Sequence, residues 1–362
     1  MTAFTVVEDG RVFFIDLPNN VQRPRKLDAL IDRCQRRLEP EAGHSSRVKR
    51  LVHDLTRIAN ECLRISSTHI FGSSVNGFRT ARSDVDILFV LKDNGSDPQL
   101  RALVQYLKSS GQDMFTIQCV LRNASVPIVT VHHRNTGLSC DISFSVPALP
   151  RKAVIHNSNL LRTYAKTYPE VAVAFKFLKS LLGLTKYSSA RTGGLSTYGH
   201  IILYLYYLTH HQHYPLIDPQ TFEPHPGTTP DLTPSQIILR YLHFLACELD
   251  SSQFIIDIKT LDIRPRCQQG GHRGRLLMYD PYVKKNLGTY MSERNLFEFK
   301  VLCYRLLELL GGLEEEGDVS LEWLEEMCSK QGWDGRMPPL HPNCCKLSFK
   351  DQGFSSFYLV NL

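Results

Sequence analysis

Three aspartates are the residues of this sequence best suited to chemistry. Asp84 and Asp86 are separated by a single residue at the start of a β-rich run. Asp141 lies among apolar residues of a later β-rich run. Alternate residues of a strand share one face, which places Asp84 and Asp86 side by side. Neighbouring carboxylates repel unless a cation lies between them, and burying a lone charge is costly. The pattern therefore predicts a Mg²⁺ site formed by these three side chains.

A glycine-serine pair, Gly72-Ser73, precedes these aspartates. Glycine lets the backbone approach a phosphate closely, and the serine hydroxyl and the N–H groups of a turn donate to phosphate oxygens. Two metal ions held by the carboxylates would activate an attacking hydroxyl and stabilise a leaving group of phosphate oxygens. A lone aspartate pair or glycine-serine pair is common on surfaces. Their combination with a third strand aspartate favours an in-line displacement on a triphosphate.

The surrounding segments divide into a β-rich part and a helical part. Strands are predicted at 69–71, 85–91, 115–121, 128–131 and 140–144, with a helix at 98–108, as one mixed α/β unit. Helical spacing of apolar residues predicts helices at 27–38, 46–65, 171–184, 196–210, 235–249 and 293–310, in a pattern that is helical from residue 159. A hairpin is predicted over 1–17, and loops over 214–234 and 264–275.

The composition is that of an ordinary globular protein. The 362 residues are 43% hydrophobic, and 42 Lys and Arg against 36 Asp and Glu give a net charge of +6, which permits an anionic partner. No apolar run approaches the roughly 20 residues of a membrane span, and the N-terminus lacks the pattern of a secretory signal. The ten cysteines form no CxxC pair, so we expect reduced thiols in an intracellular protein and no zinc site.

Several motifs together resemble a known family. Gly72-Ser73, Asp84-Val85-Asp86 and Asp141 resemble the signature of DNA polymerase β-type nucleotidyltransferases. Further motifs follow in the order of non-canonical poly(A) polymerases and terminal uridylyltransferases: 125–129, 140–144, 155–157, 195–199, 280–282 and 286–288. The compact length most resembles the minimal kinetoplastid terminal uridylyltransferases, including the mitochondrial kind that acts in RNA editing.

The resemblance implies an α+β fold. A polymerase β-like catalytic domain, with a mixed sheet and helices, is expected over 50–150. A mainly helical domain that recognises the nucleotide base is expected over 1–49 and 151–310, with a cleft between the two. Residues 311–362 are expected to form an extension packed on the body.

The resemblance also implies roles for individual residues. Asp84, Asp86 and Asp141 would be catalytic metal ligands, with Asp141 nearest the RNA 3′-hydroxyl. The nucleotide-binding residues would be Gly72, Ser73, Asn157, Lys179, Thr197, Tyr198 and Asp280. In that set Ser73, Lys179 and Thr197 would contact phosphates, Asn157 the ribose 2′-hydroxyl, and Tyr198 and Asp280 the base. From pattern alone, Tyr198 also fits a core aromatic and Asn157 a helix cap before Leu160.

Two positions depart from the family pattern. Gly183 stands where a second phosphate-binding lysine is usual, and Lys176 or Lys186 is a possible substitute. Val283 stands where uridylyltransferases usually have an acid, and the base-selecting segment is one residue short. The choice between UTP and ATP is therefore the weakest implication of the resemblance.

The expected function is template-independent addition of UMP from UTP to an RNA 3′-hydroxyl, with Mg²⁺ or Mn²⁺ as cofactor. The alternatives are an ATP-using poly(A) polymerase, a non-catalytic RNA-binding scaffold subunit, and nucleotide transfer to a small molecule. The expected partners are UTP, the 3′ end of single-stranded RNA and a protein complex for RNA editing or processing, with no membrane. Basic residues over 33–50 and 264–275 would follow the RNA backbone. A mitochondrial location is favoured over a cytoplasmic one.

Overall fold

The computed structural model describes residues 3–8, 11–16, 25–92, 96–124, 126–146, 149–251, 254–262, 264–265 and 276–311. The predicted extension over 311–362 lies outside these ranges beyond residue 311, and so does most of the basic loop over 264–275. The strands are β1 Ala3–Glu8, β2 Arg11–Asp16, β3 Ile65–Phe71, β4 Val85–Leu91, β5 Phe115–Leu121, β6 Ile128–His133, β7 Leu138–Phe144, β8 Phe254–Ile255 and β9 Arg264–Pro265. The helices are α1 Arg25–Leu38, α2 His44–Cys62, α3 Ser73–Asn76, α4 Ser96–Ser109, α5 Arg151–Thr167, α6 Pro169–Leu182, α7 Thr197–His211, α8 Pro234–His243 and α9 Glu293–Gly311.

The central sheet has five strands in the order β3-β4-β7-β6-β5. Only β4 and β7 run parallel to each other, and the other three pairs are antiparallel. The predicted mixed α/β unit is confirmed, and so is the hairpin, which β1 and β2 form as an antiparallel pair. Strands β4 and β7 run in the same direction, and their register places Asp86 of β4 opposite Asp141 of β7.

One face of this sheet is covered and the other carries the polar side chains. Val85, Ile87 and Phe89 of β4 are fully buried in a core with apolar residues of α2 and α4, such as Leu55 and Leu103. Because side chains alternate along a strand, the residues between them on β4 point to the opposite face. The sheet therefore presents Asp86 on the side away from α2 and α4.

The helical part has its own core. Apolar residues of α1 and of α5 to α9 form one cluster, and α1 packs on α6. Helix α2 belongs instead to the sheet core, and it spans the predicted domain boundary at residue 50. The two parts meet where α5 passes α3, since Arg162 Nε donates to the Val75 carbonyl at 2.7 Å. No helix in the described ranges is both long and apolar enough to span a membrane.

Two helix boundaries differ from the prediction. Helix α5 begins at Arg151, directly after Pro150 in an extended conformation, and not near residue 159. Asn157 therefore lies inside a helix, and its interpretation as a helix cap is wrong. A single helix is predicted over 235–249. In the structure the α-helical part, α8, ends at His243, and a π-helical turn follows over Phe244–Glu248.

Candidate active site

Two of the three aspartates lie directly opposite each other. Asp86 of β4 and Asp141 of β7 are register partners in the parallel pair. Burial raises the pKa of Asp86 to about 7, and the carboxylates of Asp141 and Asp84 add to the rise. Asp84 is exposed and lies one residue before β4; partial burial and Asp141 raise its pKa. The three carboxylates thus share one electrostatic field, and each acts against the ionisation of another.

Gly72 holds the turn beside Asp86. Its φ of 64° is in the region that favours glycine, and a Cβ atom there would lie 2.2 Å from Asp86 Oδ2. The next residue, Ser73, begins the single-turn helix α3, and its backbone N–H donates to the Asp86 carboxylate. From the sequence, Gly72 was expected to let the backbone approach a phosphate closely. In the structure the space is taken by Asp86.

Thr130 supports Asp141 and was missed by the sequence analysis. It is the register partner of Asp141 on β6, and its Oγ1 donates to Asp141 Oδ1 at 2.7 Å. On β6 it lies between the buried Val129 and Val131, so alternation along the strand was a signal that could have found it. The contact holds one carboxylate oxygen of Asp141 in a fixed orientation.

The donor set fits a hard divalent cation. Carboxylate oxygens are the ligands that Mg²⁺ and Mn²⁺ prefer, and Asp84 and Asp141 are close enough to Asp86 for their charges to raise its pKa beyond the effect of burial. In the described part of the chain, no three His, Cys, Asp or Glu side chains are grouped closely enough to form a ready metal site. Metal binding by these three aspartates would therefore require their side chains to rotate toward one another.

Lys179 of α6 lies beside the carboxylates. Its Nζ donates to Ser83 Oγ at 2.7 Å and to the Phe78 carbonyl at 3.3 Å. Burial lowers the pKa of Lys179 to about 8, against the attraction of Asp86 and Asp84. The two substitutes for a second lysine are each held by an acid, Lys176 by Glu39 at 2.8 Å and Lys186 by Glu298 at 2.6 Å. Gly183 caps the C-terminal end of α6.

The structure joins Asn157, Tyr198 and Asp280 in one hydrogen-bonded cluster. Tyr198 OH donates to Asn157 Oδ1 at 2.5 Å, and Asn157 Nδ2 donates to Asp280 Oδ2 at 3.5 Å. Asp280 is only 4% exposed, and its Oδ1 accepts the backbone N–H groups of Tyr282 and Val283. Burial, assisted by Asp280, raises the pKa of Tyr198 well above its usual value. Asp280 thus holds a turn and orients Asn157.

Thr197 is the first residue of α7 and is exposed, directly before Tyr198. The preceding Ser196 caps the helix by accepting the Gly199 N–H at 3.1 Å. Thr197 therefore lies at the start of α7, and its hydroxyl is not needed to cap the helix because Ser196 does so.

An aromatic group next to Asn157 was also missed. The His156 ring meets the rings of Phe222 and Tyr282 edge-on, with centroid distances of 5.5 and 5.3 Å. Phe222 comes from the predicted loop over 214–234 and has a φ of 62°. No periodicity in the sequence links these residues, since they come from a helix and two loops.

Part of the chain matches a known protein family. Residues 27–166 match the family described as "Poly(A) RNA polymerase, mitochondrial-like, central palm domain". The chain is similar to terminal uridylyltransferase 4 of Homo sapiens, with 30% identity over 198 residues that cover 53% of this chain and 12% of the relative. It is similar to poly(A) RNA polymerase GLD2 of Xenopus tropicalis, with 26% identity over 271 residues that cover 68% of this chain and 50% of the relative.

The fold is also found in solved structures. The crystal structure of the Cid1 poly(U) polymerase superposes with a TM-score of 0.67 and 18% identity, covering 84% of this chain and 98% of the other. This likeness confirms the predicted polymerase β-like α+β fold. The chain spans about an eighth of terminal uridylyltransferase 4 and about half of GLD2, so the matched regions do not represent those whole proteins.

Proposed function

We propose that the chain is a member of the terminal uridylyltransferase and non-canonical poly(A) polymerase family, and that it is a template-independent RNA 3′-terminal nucleotidyltransferase that uses UTP. The observation that carries the proposal is the register pairing of Asp86 with Asp141 on parallel strands, next to the turn at Gly72. In the reaction, the RNA 3′-hydroxyl attacks the α-phosphorus, a new phosphodiester bond forms, and pyrophosphate leaves.

The residues of the chain bind and orient the reactants. Asp84, Asp86 and Asp141 would hold divalent metal, which supplies a lower pKa for the attacking hydroxyl and neutralises phosphate charge. Ser73 and Lys179 lie beside the carboxylates and donate to phosphate oxygens. Most of the catalysis is then positioning and charge neutralisation.

The facing helices receive the nucleoside. Asn157 Oδ1 already accepts from Tyr198 and has a second lone pair for the ribose 2′-hydroxyl. The half-buried ring of Tyr198 is held by that same hydrogen bond, and it offers a stacking surface to the base. Thr197, at the exposed start of α7, donates its hydroxyl to the triphosphate.

Substituting Tyr198 tests the stacking contact. We expect Tyr198→Ala to raise the KM for the nucleotide about tenfold with a small effect on kcat, because base stacking on an aromatic ring is worth about 1–3 kcal/mol. Tyr198→Phe keeps the ring and loses only the hydrogen bond to Asn157, so it should have the smaller effect. Tyr290→Ala, at a tyrosine that is 60% exposed, is the matched control. An unchanged KM in Tyr198→Ala would mean that Tyr198 is a core residue.

ATP is the second candidate substrate, and two observations favour it. Val283 provides no polar side chain beside the base, and the oxygens of Asp280 are already engaged by Asn157 and the turn. The GLD2 poly(A) polymerase of Xenopus tropicalis also matches a larger share of this chain than terminal uridylyltransferase 4 does. UTP is supported by the higher identity to terminal uridylyltransferase 4 and by the likeness to the Cid1 poly(U) polymerase fold.

Extension of a short single-stranded RNA with each nucleoside triphosphate separates the candidates. We expect incorporation in Mg²⁺ or Mn²⁺, none in excess chelator, and a kcat/KM for UTP above that for ATP. Equal or faster use of ATP would overturn the uridylyl assignment and leave the poly(A) polymerase. Folded protein that binds RNA but incorporates no nucleotide would contradict catalysis and identify a scaffold subunit.

The cellular setting is part of the proposal. A mitochondrial location, a role in kinetoplastid RNA editing and a protein complex come from the resemblance of the motifs. Fractionation of cells that express the tagged chain tests the location, and recovery outside mitochondria would exclude the editing role.

A further inference from the structure

Two nitrogen atoms of the Arg79 guanidinium are buried without a hydrogen-bonding partner among the described residues. Arg79 lies in the loop 77–84, between the single-turn helix α3 and Asp84. Its Nε and Nη2 atoms are buried, and no acceptor in the described part of the chain is within hydrogen-bond distance of them. The side chain as a whole is partly exposed, so a small movement of the guanidinium would bring these two atoms to the surface. Burial lowers the pKa of Arg79 from its ordinary value.

Two basic side chains, Lys179 and His44, lie close enough to Arg79 to be affected by its charge. Lys179 Nζ contacts the carbonyl of Phe78, the residue directly before Arg79, and the charge of Arg79 lowers the pKa of Lys179 after the effect of burial. His44 is also close, since Arg79 lowers the His44 pKa, and His44 Nε2 is buried without a partner. Glu41, the acid beside His44, pairs with Arg47 at 2.9 Å.

This arrangement is costly in an empty protein. A desolvated guanidinium beside an ammonium loses hydration and gains repulsion, and no carboxylate of the described residues forms an ion pair with Arg79. Arginine binds phosphate through two parallel N–H donors, and Arg79 has Nε and Nη2 free on one edge of its guanidinium. A phosphate group placed there would satisfy both atoms and offset the repulsion from Lys179.

We infer that Arg79 and Lys179 form a phosphate-binding subsite in which Arg79 replaces the lysine absent at Gly183. The inference rests on the proposed function for its first ligand, the terminal phosphate of the nucleoside triphosphate. The chemistry is equally that of an RNA backbone phosphate, and binding measurements distinguish the two sources. Phosphate binding by the loop 77–84 is not evident from its sequence, because an isolated arginine is also common in an exposed surface loop.

Variants at position 79 test the subsite by ligand affinity, measured by calorimetry on the full chain. Arg79→Met keeps the length of the side chain and removes the charge. We expect its Kd for UTP to rise about tenfold, as for the loss of a charge-assisted contact, with the Kd for UMP unchanged. The Kd of Arg79→Lys for UTP should lie between those of the wild type and Arg79→Met. Arg82→Met, at an exposed arginine of the same loop, should bind UTP as the wild type does.

The thermal midpoint without ligand distinguishes binding from a structural role. Removing an unpaired buried charge relieves a cost, so the midpoint of Arg79→Met should equal or exceed that of the wild type. A rise in the Kd for single-stranded RNA with UTP affinity intact would support the subsite and identify the RNA backbone as its ligand. Unchanged affinity for both ligands, or a fall in the midpoint with equal loss of UMP and UTP binding, would overturn the inference.

The inference and the proposed function fail in different ways. A wild type that extends RNA while Arg79→Met binds UTP and RNA normally disproves the subsite alone. A wild type that extends no RNA, yet binds UTP in a way that depends on Arg79, disproves the transferase activity alone.

Discussion

Replacing Asp141 by alanine is expected to abolish RNA extension and to leave UTP binding largely intact. This is the expected result because Asp141 is the member of the carboxylate group proposed to lie nearest the RNA 3′-hydroxyl, while Asp84 and Asp86 remain for the nucleotide. Metal-assisted activation contributes several kcal/mol, so kcat should fall by about 10³-fold or more. Extension assays give kcat, and calorimetry with UTP in Mg²⁺ gives the binding.

The Asp141 variant has a clear control and a clear contradiction. The thermal midpoint should not fall, because the variant removes a carboxylate that opposes the ionisation of Asp84 and Asp86. Asp113→Ala, at an exposed aspartate before β5, should extend RNA like the wild type. A loss of UTP affinity as large as the loss of turnover would contradict the assignment of Asp141 to the acceptor side.

Gly72→Ala is expected to reduce extension by at least about 10²-fold, since small displacements of reacting groups have effects of that size. The new Cβ would lie 2.2 Å from Asp86 Oδ2, so the carboxylate or the turn must move. The same movement breaks the contact between the Ser73 N–H and Asp86. Steady-state kinetics should show the loss mainly in kcat.

Gly137→Ala is the matched control for Gly72→Ala. Gly137 has a φ of 68°, close to that of Gly72, but a Cβ atom there meets no atom within 4 Å. Both variants should lose about 1 kcal/mol of unfolding free energy from the left-handed backbone. Only Gly72→Ala should lose activity. Equal activities of the two variants would show that the position of Asp86 does not control turnover.

Strand alternation and helical spacing were sufficient to locate most elements. The run 85–91 is a strand with Val85, Ile87 and Phe89 buried, because a period of two is a local property of the chain. The same alternation places Asp86 on the opposite face of the strand from these buried residues. Such local patterns could not start α5 at Arg151, because the ends of elements depend on neighbouring contacts.

The amino-acid sequence by itself determined the residue types, their order, and thereby the family resemblance and the mixed sheet. Only the tertiary structure decided that Asp86 faces Asp141, because strand register joins residues far apart in the chain. It likewise decided that Thr130 orients Asp141, that Asp280 is committed to a turn and to Asn157, and that Arg79 lies beside Lys179. Each of these contacts is formed by packing between separate elements, and no local pattern encodes it.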